Sequence, residues 1–194
     1  MSGGGSNLQA IIDGIQLGTV RNTEIVAVIS SKPNVYALER ARAHGIPTEI
    51  VEAGAYQSRD EYDAALLRTV QLYQPDLIVL AGFLRTIASP MIHCYKHRII
   101  NVHPSLLPAF GGVGYYGLRV HHAVLEHGVQ VTGATVHYVD EGIDTGKILK
   151  QKAVYVNEDD TAESLQLRVM KEAEWVILPE VINSLATERV ENFY

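Results

Sequence analysis

The feature that most constrains the fold is an alternation in the first hundred residues. Short runs rich in β-branched and apolar residues recur: "EIVAVISS" (24–31), "PTEIVE" (47–52), "PDLIVLAG" (75–82) and "RIINVH" (98–103). Each reads as a buried strand. Helical segments separate them. Leu8, Ile11, Ile12 and Ile15 follow the i, i+3, i+4, i+7 spacing of an amphipathic helix. "YALERARAHG" (36–45) reads as a helix closed by Gly45. Ser58 with Glu61 predicts a capping box for a helix reaching Tyr73. Ser89 and Pro90 predict an N-cap and a first helical residue. Strands separated by helices are joined by crossovers, so they build a parallel sheet. After residue 128 the pattern changes. "VQVTGATVHYVD" (129–140) and "KILKQKAVYV" (147–156) read as long strands about a turn, able to pair antiparallel. Residues 161–188 read as a long helical stretch, kinked or broken near Pro179.

The chain has 194 residues, 47% of them apolar, which suffices for one core and predicts one domain. Its net charge of −6 argues against a nucleic-acid backbone as the main partner. Cys94 is the single cysteine, which excludes an intrachain disulfide and a cysteine zinc cage. No apolar run reaches membrane-spanning length, and "MSGGGSNLQ" lacks the parts of a signal peptide. The expectation is a cytoplasmic protein.

Three constellations can carry chemistry. In "SGGGSNLQAII", glycines precede Ser6 and Asn7 at a helix start. Such a start suits an anion, and equally an ordinary capped helix after a flexible end. In "RIINVHPSLLPAF" (98–110), Asn101 and His103 alternate onto one side at the carboxyl end of a parallel strand, where open α/β sheets bind ligands. An amide can donate to a developing oxyanion, and a histidine can move a proton near neutral pH. Pro104 and Pro108 stiffen the loop after the strand. The alternative is a polar strand end capped by a turn; two such groups on one face favour function. In "VDEGIDTGKIL", Asp140, Glu141 and Asp144 occupy a Gly-rich turn. They read as a solvated turn, as a carboxylate metal site unsupported by His–Glu spacing, or as a partner for His103. His121, His122 and His127 do not share a helix face, and His44, His93 and His97 read as helix-end or surface residues.

Four segments, "SGGGSNLQAII", "PDLIVLAGFLR", "INVHPSLLPAF" and "GATVHYVDEGIDTGKIL", occur in this order. Together they resemble the phosphoribosylglycinamide formyltransferase family over nearly the whole chain. The resemblance implies an open, mostly parallel Rossmann-like sheet with helices on both faces and antiparallel strands in the C-terminal half. It implies a purine-biosynthetic transferase that moves a formyl group from 10-formyltetrahydrofolate to glycinamide ribonucleotide, without a metal. Gly5, Ser6 and Asn7 match the loop that holds the substrate phosphate, and Glu174 with nearby Lys171 matches the ribose site. Arg59, Leu84, Arg85, Thr86, Ile87 and Asn101 match the folate pocket. Asn101, His103 and Asp144 match the catalytic trio. The resemblance divides the single domain into a phosphate- and nucleotide-binding half (1–100) and a catalytic and folate-binding half (101–194).

Two departures stand out. Family members carry a short apolar strand ahead of the glycines, which this sequence, starting at Met1, does not supply. The segment "FGGVGYYGLRVHH" (110–122) is longer than in many relatives and reads as a lid near the substrate or as a surface insertion. Partners implied are small molecules, with no nucleic acid and no membrane, in a monomer or homodimer. Rival readings are a methionyl-tRNA formyltransferase, which needs a further C-terminal domain, a formyltetrahydrofolate deformylase, which needs an N-terminal regulatory domain, and a non-catalytic binding module.

Overall fold

The computed structural model describes residues 4–191. In chain order the elements are α1 (Ser6–Gln16), β1 (Val28–Ser30), α2 (Tyr36–Ala43), β2 (Thr48–Ile50), α3 (Arg59–Leu72), β3 (Ile78–Leu80), α4 (Ser89–Cys94), β4 (Ile99–His103), α5 (Leu118–Glu126), β5 (Val131–Tyr138), β6 (Ile148–Tyr155), α6 (Ala162–Val169) and α7 (Trp175–Glu191). Strands β1 and β2 pair parallel, as do β3 and β4. Strands β4, β5 and β6 pair antiparallel, as the change of pattern after residue 128 predicts. Among the described residues the sheet falls into two pieces, ordered β1–β2 and β3–β4–β5–β6. The short strand expected ahead of the glycines would precede Gly4 and lies outside the described residues.

Strand β4 sets the layers. Ile100 and Val102 point into a cluster built with Ile11 of α1, Val124 of α5, Leu165 of α6 and Ile177 of α7. Ile99 points the other way, into a cluster with Tyr62 and Leu66 of α3 and Met91 of α4. Helices therefore cover both faces. Ile99 and Ile100 are at most 1% exposed, and burying one such side chain contributes about 1.5–3 kcal/mol. Asn101 and His103 lie on the Ile99 side of the strand, at its carboxyl end.

Three local expectations are corrected. Ala88, not Ser89, caps α4, so Pro90 is its second residue; the Ser89 hydroxyl is drawn to Glu141 Oε1 at 2.6 Å. Ser58 does accept the Glu61 amide (3.2 Å), but the Glu61 carboxylate takes the Gln57 N–H, so the capping box closes one residue early. The C-terminal helical stretch is interrupted at Met170–Glu174, a π turn, and runs on through Pro179. Trp175, four residues ahead of that proline, has ψ −10°, away from the helical value. The carbonyl that a proline ring would strike is thereby turned aside upstream.

Candidate active site

Asn101 pairs across the sheet with His137, and His103 with Thr135, so all four side chains share one face. His103 is 4% exposed. Its Nε2 lies 2.8 Å from the Phe110 carbonyl oxygen, and its Nδ1 lies 3.4 Å from Asp144 Oδ2. Both ring nitrogens thus face acceptors, an arrangement that a doubly protonated imidazolium satisfies fully. Asp144 stands in the left-handed region (φ 58°). Its Oδ2 also accepts the Gly112 amide at 2.9 Å. Gly112 adopts φ 90°, a conformation that favours glycine. The loop 110–122 therefore reaches the site with its main chain: Phe110 holds His103, and Gly112 holds Asp144.

The turn after β4 is tied down from β5. Thr135 Oγ1 accepts the Leu107 amide (3.0 Å) and donates to the Ser105 carbonyl (2.7 Å). Gln151 donates to both the Leu107 carbonyl and Thr135 Oγ1, each at 2.9 Å. Glu141, on the Asp144 turn, takes the Ser89 hydroxyl at the start of α4. The turn is thereby fastened to the end of the β3–α4 loop.

A second group forms where α1 begins. Gly5 caps α1 at φ 71°, and a Cβ there would meet Ala37 Cα at 2.7 Å. The helix's own bonding starts with the Gln9 amide to the Gly5 carbonyl (3.0 Å), which leaves the amides of the first turn for an anion. Asn7 Nδ2 donates to Glu174 Oε2 at 2.7 Å. The π turn places Glu174 there, 7% exposed, and burial pushes its carboxyl above the usual range against the opposing pull of the Asn7 hydrogen bond. Asn7 Oδ1 is buried with no partner. Lys171 lies on the same turn, exposed.

A third group flanks the first. Arg59, at the start of α3, donates to both the Thr86 carbonyl and Thr86 Oγ1 at 2.8 Å and to Asp63 at 2.9 Å. Arg85 stacks over the Tyr62 ring, 5.2 Å from its centroid. Ile87 packs inward while Leu84 is exposed. Residues 84–87 follow β3, whose Leu80 registers with Asn101, so their loop leaves the sheet at the same carboxyl edge. Among the described residues no group of three or more His, Cys, Asp or Glu side chains is placed to hold a metal ion.

A family model described as formyl transferase matches residues 1–182. The chain belongs to the formyl transferase family. It is 40% identical over 192 residues to the chloroplastic phosphoribosylglycinamide formyltransferase of Arabidopsis thaliana, covering 98% of this chain and 65% of that one. The chain thus spans less than two thirds of the plant relative's length. To the phosphoribosylglycinamide formyltransferase of Escherichia coli it is 39% identical over 191 residues, covering 98% of this chain and 87% of the relative. The crystal structure of glycinamide ribonucleotide transformylase 1 from Symbiobacterium toebii superimposes with a TM-score of 0.90 at 44% identity, covering 97% of this chain and 86% of that one.

Within this formyl transferase domain, the structure brings Asn101, His103 and Asp144 together, joins Asn7 to Glu174, and joins Arg59 to Thr86. Sequence reasoning missed Thr135 and His137. The signal was present in "VTGATVHY", where Thr135 and His137 alternate on one face of a largely apolar strand. His121, read from sequence as a helix histidine outside any metal site, is fully buried with neither ring nitrogen bonded. Burial, with smaller contributions from His103 and His122, pushes its pKa down to about 4, so His121 packs as a neutral ring.

Proposed function

We propose that the chain transfers the formyl group of 10-formyltetrahydrofolate to the amine of glycinamide ribonucleotide, giving formylglycinamide ribonucleotide and tetrahydrofolate. The observation that carries this reading is the meeting of His103 and Asp144 beside Asn101 at the end of β4. The names of the plant and bacterial relatives support the same substrates.

The residues suit both ligands. A buried carboxylate on Glu174 and an unpartnered Asn7 Oδ1 fit the hydroxyls of a ribose, which donate to both. The first-turn amides of α1, with Ser6 and the Gly5 cap, fit a phosphate, and Lys171 adds a charge nearby. Arg59 and residues 84–87 line the loop assigned to the folate. Bound there, 10-formyltetrahydrofolate supplies an electrophilic formyl carbon. Asn101 donates an amide N–H toward the formyl oxygen as negative charge develops on it. His103 keeps Nε2–H on the Phe110 carbonyl; Nδ1–H, 3.4 Å from Asp144, is the donor left for that oxygen. Asp144 stabilises the imidazolium; as the amine–carbon bond forms and the carbon–N10 bond breaks, the proton that the attacking amine gives off passes through water beside Asp144 to N10, which leaves as tetrahydrofolate.

The residues assigned to folate and ribose straddle the 1–100 and 101–194 halves, so both halves feed one site in this reading. It also carries a cytoplasmic protein, monomeric or homodimeric, with small-molecule substrates only. No helix among the described residues is long and apolar enough to cross a membrane.

The test follows tetrahydrofolate release from 10-formyltetrahydrofolate with and without glycinamide ribonucleotide, beside His103→Ala. Release that requires the nucleotide and falls about a hundredfold to a thousandfold in the variant supports the transferase. Release without the nucleotide points instead to a deformylase, and no release points to a binding module.

A further inference from the structure

His137 is buried on β5 directly across from Asn101, and the transfer chemistry described above does not use it. Its surroundings specify its protonation. Nδ1 lies 2.8 Å from the Tyr138 carbonyl oxygen, which only accepts, so Nδ1 carries a proton. Nε2 lies 3.2 Å from Asn101 Nδ2, which only donates, so Nε2 presents its lone pair. Asp144 Oδ1, 3.7 Å away, is beyond hydrogen-bond distance of Nε2, so it does not compete with Asn101 for that nitrogen. Burial lowers the pKa of His137, outweighing the Tyr138 carbonyl and Asp144, which favour the cation. The neutral ring with its proton on Nδ1 is the form that fits both of its hydrogen-bond partners, the Tyr138 carbonyl and the Asn101 amide.

We infer that His137 is a positioning residue for Asn101: its Nε2 lone pair accepts one amide N–H and fixes which way the amide faces, leaving the second N–H for the substrate oxygen. An amide has two faces of nearly equal shape and opposite polarity. Turned over, Asn101 would present its oxygen where negative charge develops, replacing stabilisation with repulsion. The neighbouring sheet is built around this contact. Strand β6 bulges opposite it, with Val136 registered on Lys150 but His137 on Ile148. A bulge of this kind re-aims a side chain beside a site.

The inference deepens the proposed transfer reaction and rests on it. Two substitutions separate the ring's two contacts. His137→Asn keeps a donor near the Nδ1 position for the Tyr138 carbonyl and removes the acceptor. His137→Gln places an amide oxygen near the Nε2 position. With both substrates, His137→Asn is expected to lower kcat about tenfold to a hundredfold while each KM changes less than about threefold. His137→Gln should stay within about fivefold of the parent. In an Asn101→Ala background, His137→Asn should lower kcat by less than about twofold, because the group it acts through is gone. Equal losses in the two single variants, or an undiminished loss in the Asn101→Ala background, overturn the inference. NMR of the 15N-histidine-labelled protein reads the ring without any turnover. A proton on Nδ1 and none on Nε2 is expected; the reverse overturns the inference. A parent protein without turnover but with this tautomer would sink the transfer reading and leave the ring's arrangement standing.

Discussion

Replacing Asp144 with Asn tests the pairing on which the chemistry depends. Asn is the replacement of choice because Asp144 sits at φ 58°, which Asn adopts readily and Ala does not. Asn also keeps an oxygen for the Gly112 amide, so the loop stays anchored. What disappears is the charge 3.4 Å from His103 Nδ1. Coulomb's law at an effective dielectric near 20 gives a gross attraction of about 5 kcal/mol at that distance. Desolvation of the pair, and the share of the carboxylate already committed to Gly112, reduce this. About 3 kcal/mol is left to favour the transition state, a loss in kcat of roughly a hundredfold. Steady-state tetrahydrofolate release with each substrate varied in turn is the assay. The KM of the nucleotide should move little, because the contacts of Asp144 are with Gly112, His103 and His137, not with the Asn7–Glu174 pair. A kcat loss below about tenfold, or a loss carried entirely by KM, would refute the argument that the Asp144 charge acts on His103 during transfer.

Three further outcomes are expected from the packing. Gly5→Ala should lower Tm by about 4–12 °C, from about 2–3 kcal/mol of left-handed strain and collision with Ala37; an unchanged Tm in a thermal melt would contradict the close approach. Glu174→Gln should raise Tm at pH 7–8 and weaken nucleotide binding. The native carboxyl, with its pKa raised by burial, binds a proton more readily than the unfolded one, so the parent loses stability as pH rises above the ordinary carboxylate range. Melts at pH 4 and pH 8 should therefore show the gain mainly at the higher pH. Thr135→Val leaves the buried Leu107 amide and Ser105 carbonyl short of a partner and should destabilise the fold by about 2–4 kcal/mol in urea unfolding.

The alternation of strand and helix was enough to place β1 to β4 and the carboxyl edge where the site lies. Asn101 and His103 were legible because strand periodicity and chain position coincide there. The extents of the strands were not: "EIVAVISS" reads as eight residues, but β1 is Val28–Ser30, since a strand's length is set by the neighbour it pairs with. Asp144 could be read only as a turn carboxylate, because its encounter with His103 is made by the register of β5 on β4. The Asn7–Glu174 bond spans 167 positions and depends on a π turn that periodicity does not announce. The break expected at Pro179 fell upstream for a related reason: a proline is accommodated by the carbonyl ahead of it, not by its own position.

Phe110 and Gly112 hold His103 and Asp144 through a carbonyl and an amide, atoms that every residue except proline carries. No single codon change can delete the Phe110 carbonyl. Side chains along residues 113–116 are accordingly free to diverge without touching these two contacts, while an insertion or deletion between Pro108 and Gly112 would move both together. Spacing between Pro108 and Gly112, rather than the side chains beyond it, is what keeps the catalytic pair in place, and the chain after Gly112 is open to new substrate contacts.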